Sequence, residues 1–185
     1  NFISPRFHMK YQAFAKSTIK LSFGKATRVA NIFSENQKLF YSSREIIFTE
    51  NSTPTDFSTM KADQAWNYGV SIINSFKLFN RESQLILDYY ITDFQNKVVA
   101  DWETPSLINF YNLTGKSYSN SFQAQLSYTL SNSVDFLFAY KNTFAETDYI
   151  SHGRLKNPLT PSDRLFLNLS YNGTTNEKGR SWKYD

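Results

Sequence analysis

Apolar and polar side chains alternate along stretches longer than an ordinary globular strand, and this one feature limits what the chain can fold into. Phe122, Ala124, Leu126, Tyr128 and Leu130 point one way, and Gln123, Gln125, Ser127 and Thr129 the other. Val134, Phe136, Phe138 and Tyr140 oppose Asp135, Leu137, Ala139 and Lys141. Leu165, Leu167, Leu169 and Tyr171 oppose Phe166, Asn168, Ser170 and Asn172. Leu85, Leu87, Tyr89 and Ile91 stand against a mixed face of Gln84, Ile86, Asp88, Tyr90 and Thr92. Ile19, Leu21 and Phe23, and before them Phe7, Met9 and Tyr11, continue the pattern. Successive side chains of a strand point to opposite faces, so this period of two marks strands that separate two unlike environments.

Strands are expected near 3–12, 17–26, 66–79, 83–101, 119–131, 134–148 and 163–172, with an eighth beginning near 180. The links between them alternate in length. Those at 13–16, 80–82, 131–133 and 173–179 are short; those at 27–65, 102–118 and 149–162 are long. All the long links therefore emerge at one end of the sheet, as in outer-membrane barrels and unlike the Greek-key crossings of a sandwich. Globular strands typically run ~5–6 residues, whereas strands that cross a bilayer need ~9–11. The stretches 83–101 and 134–148 exceed even that, so they would project beyond the bilayer. Aromatic residues stand near the expected strand ends: Trp66, Tyr68, Phe76, Phe79, Trp102, Tyr128, Tyr149, Tyr171 and Trp182. Such rings favour the headgroup layer. The expected fold is all-β, an antiparallel meander forming part of a large transmembrane β-barrel. A soluble all-β binding or adhesion module, with the same rings in a sandwich core, is the alternative.

Composition excludes several classes. The chain is 17% aromatic yet has a mean hydropathy of −0.48. Disordered chains lack this aromatic content. Without cysteine, neither a disulfide framework nor a thiolate metal site can form. No apolar run is long enough for a membrane helix. Twenty basic residues are scattered among 16 acidic ones, which gives no stripe for nucleic acid. Asn1-Phe2-Ile3-Ser4 has no signal-peptide character, and 180–185 reads as the opening of a strand cut short. The expectation is an excised fragment, 1–185, with about seven full strands and the start of an eighth.

Residues for catalysis are sparse. His8 alternates with Arg6 and Lys10 on a polar face and His152 precedes Gly153, each without a partner at ligand or triad spacing. The glycines are isolated, so no phosphate loop is present. Asp88, Asp93, Asp101 and Glu103 match no calcium-loop spacing. Four Asn-x-Ser/Thr tripeptides, at Asn51, Asn112, Asn168 and Asn172, are what chance provides in a chain this rich in Asn, Ser and Thr. No enzyme and no cofactor is expected. If the apolar faces meet lipid, Gln84, Asp88, Tyr90, Thr92, Gln123, Gln125, Ser127, Thr129, Asp135 and Lys141 face a wet lumen, as hydrating groups with no catalytic part. The long links carry Arg44, Glu45, Glu50, Arg154 and Lys156, whose mixed charges name no ligand.

Several segments carry a family resemblance. The run from Ile19 through Ser22-Phe23-Gly24 to Arg28-Val29-Ala30-Asn31 and Glu35-Asn36 resembles the strand-and-loop signature of TonB-dependent outer-membrane receptors. Ala62-Asp63 followed by Trp66-Asn67-Tyr68-Gly69 is similar to the family's Pro-Glu-x-x-x-x-Tyr-x-x-Gly strand opening, with Ala-Asp in place of Pro-Glu. Tyr89-Tyr90-Ile91-Thr92-Asp93-Phe94, Tyr111-Asn112-Leu113 and Pro161-Ser162-Asp163-Arg164 resemble later strands, and Pro5-Arg6-Phe7 an earlier one, all in the family's order. Tyr118-Ser119-Asn120-Ser121-Phe122 lacks the Gly-x-Glu often found at its strand start. The style resembles receptors of Bacteroidetes-type bacteria. The resemblance implies a 22-stranded barrel in a Gram-negative outer membrane, filled by an N-terminal plug and importing a scarce nutrient. It implies outer-membrane lipid, the plug and the TonB complex as partners, a SusD-like lipoprotein as a further one, and no nucleic acid. The plug and the final strands would lie outside 1–185. Arg28, Asn31 and Glu35 would hold the base of a long extracellular loop.

Overall fold

The computed structural model describes residues 2–50, 53–173 and 182–184. In chain order its strands are β1 (Arg6–Phe14), β2 (Ser17–Arg28), β3 (Glu45–Glu50), β4 (Thr53–Pro54), β5 (Asp63–Leu78), β6 (Arg81–Asn96) and β7 (Val98–Asp101). They continue with β8 (Leu107–Asn112), β9 (Ser117–Ser131), β10 (Val134–Tyr149), β11 (Gly153–Lys156), β12 (Asp163–Asn172) and β13 (Lys183–Tyr184). Two single helical turns, α1 (Ile32–Glu35) and α2 (Gln37–Phe40), and a 3-10 turn at Phe57–Thr59 lie between β2 and β5.

The main sheet runs β1-β2-β5-β6-β9-β10-β12-β13, with β11 paired to the far end of β10. Every pairing in it is antiparallel, and each strand lies beside the one that precedes it in the sheet. This is the expected meander, with its long links at one end and two open edges, β1 and β13. The expected start of the eighth strand near 180 and most of the 173–179 link lie outside the described residues.

Register sorts the side chains into two faces, because residues directly opposite one another share a face. One row passes through Met9, Leu21, Val70, Tyr89, Phe122, Asn142 and Asp163. A row nearer the short turns passes through Tyr11, Ile19, Ile72, Leu87, Ala124, Tyr140 and Leu165. Among the described residues nothing covers this face: Leu165, Leu167 and Leu169 are 64%, 59% and 60% exposed. The first row is apolar at β1 but ends on Asp163 at β12, where the apolar residues lie nearer the short turns, at Leu165, Leu167 and Leu169. The apolar band thus crosses the strands obliquely, as a membrane crosses the tilted strands of a barrel. Charges on this face stand toward its two ends, among them Lys25, Asp93, Glu146, Asp148 and Asp163 toward the long links and Arg81 at a short turn.

The hydrophobic core lies elsewhere. Strands β4-β3-β8-β7 form a second sheet, in which β3 and β8 run parallel. Ile108 and Phe110 of β8 are fully buried with Ile32 and Leu39 of the helical turns. Val99 and Tyr111 pack on Tyr149. The long links expected at 27–65 and 102–118 therefore fold together into a small cap. The stretch 83–101 is also not one strand: it breaks at Lys97, and β7 leaves the main sheet for the cap. Trp102 and Tyr149, expected near strand ends as headgroup-layer rings, pack in the cap instead. The first strand begins at Arg6 rather than near residue 3.

Candidate functional site

The ten residues expected to face a lumen lie on one face of the main sheet. Asp88 pairs with Gln123 and Gln123 with Lys141; Tyr90 lies two residues from Asp88 on the same face. Gln84 and Gln125 share that face through Ser127 and Ile86, and Asp135 follows through Thr129, whose hydroxyl donates to it at 2.9 Å. Gly69 sits between Ser22 and Tyr90, where a Cβ would lie 2.5 Å from the Tyr90 ring and would also crowd Ser22. Glycine leaves room there for the close approach of the Tyr90 ring.

The cap rests on this same polar face. Phe94, Ser117 and Thr147 continue it toward the long links through their mutual pairing. The ammonium of Lys97, at the break before β7, donates to Ser117 Oγ (3.3 Å) and Thr147 Oγ1 (3.1 Å). Partial enclosure holds the Lys97 pKa below the ordinary lysine value, since burial disfavours its charge. Tyr149, on the same face, meets Val99 and Tyr111 of the cap. Tyr111 donates its hydroxyl to Asp101 (3.2 Å) and accepts from the Ile150 N–H (2.9 Å). Burial raises its pKa, so it remains a neutral donor.

Arg28, Asn31 and Glu35 come together where β2 enters the first long link. Arg28 Nη2 donates to Glu35 Oε2 (2.9 Å) and Asp63 Oδ2 (3.1 Å), and its Nε donates to the same Asp63 oxygen (3.1 Å). Asn31 caps α1, its side chain accepting from the Ser34 N–H while Glu35 Oε1 accepts from its own N–H. Partial burial opposes the Arg28 charge, but the carboxylates of Asp63 and Glu35 outweigh it and raise its pKa. Asp63 completes the hub, since its other oxygen accepts from the Val98 N–H at 2.8 Å. One carboxylate thus ties the end of β2 and the start of β5 to β7. Sequence reasoning quoted Asp63 as the substitute for a motif glutamate but did not number it among site residues.

A recess of about 310 Å³ opens at this junction, lined by Arg28, Glu35, Asp63, Lys97, Ala100 and Asn157 among others. The remaining residues of interest are dispersed. Asp88 and Asp93 lie on opposite faces of β6, and Asp101 is buried in the cap. His152 Nδ1 lies 2.7 Å from Ser151 Oγ, and Ser151 donates to Asp101 at 2.6 Å. The serine stands between acid and histidine, so this is not the order of a nucleophilic triad. His8 lies on the polar face of β1 opposite Ser22. Arg44 donates to the Trp102 carbonyl, Glu50 pairs with Lys61 and Arg154 with Asp148, so these link charges are used within the chain.

No protein-family profile matches the chain, and neither does any curated protein. Among solved structures the chain is similar to one chain of the complex of FpvAI with pyocin S2, at a TM-score of 0.59 and 16% sequence identity. The alignment covers 97% of this chain and 25% of that one, so the sequence spans about a quarter of the protein it resembles. At that identity the likeness is one of fold. The antiparallel meander with long links at one end is matched over nearly its whole length, which supports a TonB-receptor-like fold.

Proposed function

We propose that the chain is part of the wall of an outer-membrane receptor that takes up a scarce nutrient with TonB-supplied energy, its long links contributing to ligand capture. The observation that carries this reading is the uncovered, uncharged apolar band that crosses the tilted strands obliquely. A soluble domain would bury such a face, because exposed apolar patches of this extent are costly in water. The polar face behind it then lines the lumen, with Asp88, Gln123 and Lys141 available to a plug or a passing solute. The role is non-enzymatic and needs no cofactor. Lipid, the plug of the full-length protein and the TonB complex are its partners, with a SusD-like lipoprotein and a Bacteroidetes-type source as the finer reading. Arg28, Asn31, Glu35 and Asp63 hold the loop base.

The test is fractionation of cells expressing the protein at its natural full length, with paired variants on β12. Leu167→Arg places a charge on the lipid face, at about 2–4 kcal/mol near the membrane midplane, and should abolish outer-membrane assembly. Asn168→Arg, on the other face, should assemble at wild-type level. Recovery of the wild-type protein from cytosol, or equal tolerance of both variants, would overturn the reading.

A further inference from the structure

Strand β7 is the outer strand of the cap sheet, paired on its β8 side alone. The Leu113 N–H donates to the Lys97 carbonyl at 2.8 Å. Antiparallel pairs alternate between bonded and non-bonded, so Val99 and Asp101 bond to β8 while the backbone groups of Val98 and Ala100 point away from it. Asp63 takes the Val98 N–H. The Val98 carbonyl and both backbone groups of Ala100 find no partner among the described residues, and both residues line the recess. The charges beside this edge are also incompletely used. Lys97 is held by two neutral hydroxyls and forms no ion pair among the described residues. Arg28 bonds through Nε and Nη2, and Nη1 has no partner among the described residues.

We propose that this recess binds an extended peptide segment, which pairs with the free edge of β7 and places a carboxylate against Lys97 and Arg28. A segment running antiparallel to β7 brings its C-terminal end past Val98 toward Lys97. An acidic side chain or terminal carboxylate there completes the ammonium's third hydrogen bond and meets the unused Nη1 protons. Backbone pairing then supplies affinity without regard to sequence, and the cation supplies selection. The recess is near the lower end of the ~300–1,000 Å³ usual for ligand sites, which suits a contact of a few residues. This inference rests on the receptor reading and names the ligand class for its loop end.

The test uses the full-length protein extracted from outer membranes in detergent, and fluorescence anisotropy of an N-terminally labelled peptide, Val-Thr-Val-Asp with a free carboxylate. A neutral analogue (Val-Thr-Val-Asn amide) and a backbone N-methylated analogue are the comparisons. The acidic probe should bind about tenfold more tightly than the neutral one. Lys97→Met should erase that difference, and N-methylation should weaken binding without any change to the protein. Ala100→Pro, tolerated on an edge whose N–H faces outward, should weaken both probes. No binding of the acidic probe to wild type, equal affinity of the acidic and neutral probes, or indifference to N-methylation would overturn the proposal. Absence of the protein from the outer membrane would instead overturn the receptor reading beneath it.

Discussion

Asp63 shows how one side chain can organise a long loop. Its carboxylate joins the Arg28 guanidinium to the β7 backbone, so one residue positions the start of two long links. The local part of this arrangement was legible: Arg28, Asn31 and Glu35 lie close together in the sequence. The contact with Asp63 closes a long loop, and no periodicity encodes which carboxylate will do that. Asp148 forms a second clasp, accepting from Arg154 Nε (2.8 Å) and from the Lys116 N–H (2.7 Å) at the far end of β10. The Arg154 hydrogen bond, then that backbone bond, hold its pKa below the usual 3.8. A depressed carboxylate stabilises the fold above its unfolded pKa and loses that contribution as pH falls through the folded value. Hydrogen exchange at the Lys116 amide, corrected for the intrinsic rate, should therefore show protection that is constant above 3.8 and declines below it. Asp148→Asn should lower the protection and remove its pH dependence.

At the scale of elements, the main strands were readable because each separates two environments along its whole length. The cap was not, for two physical reasons. Its strands are short, and the central ones are buried or half-buried on both faces, so Ile46-Ile47-Phe48 and Phe110-Tyr111 show runs rather than alternation. Its central pairing, β3 with β8, is parallel and joins residues far apart in sequence, as at Ile46 and Ile108. The break at Lys97 was hidden because Val98 to Asp101 continues an apolar, strand-like sequence directly after β6. Since Phe110 anchors the cap, stacked on Phe40 and Phe48, its removal should act on the cap alone. Phe110→Ala should cost the cap about 3–5 kcal/mol through the cavity it leaves. Hydrogen exchange should rise in β3, β7 and β8 and stay unchanged in β5, β6 and β9. Equal loss of protection in both sheets would show that the cap is not a separate cooperative unit.

At the scale of the molecule, the wall and the cap divide the work of folding. The cap has a small apolar core of its own, and the wall has none, presenting two faces to two surroundings. High aromaticity with low hydropathy follows from a wall one residue thick, in which rings on one face alternate with mostly polar residues on the other. The oblique course of the band connects this wall to tilted barrel strands, and it depends on register, which composition cannot supply. The most direct test is spin labelling of the full-length protein, residues 1–185 of which contain no cysteine, with any cysteine outside them first replaced. A nitroxide label is placed singly at Leu167 and at Asn168 of the full-length protein in lipid bilayers, and its collisions with oxygen and a water-soluble nickel chelate are measured. The account predicts that the Leu167 label meets oxygen and excludes nickel, while the Asn168 label shows the lower oxygen-to-nickel ratio. Nickel access at Leu167 equal to or above that at Asn168 would contradict it.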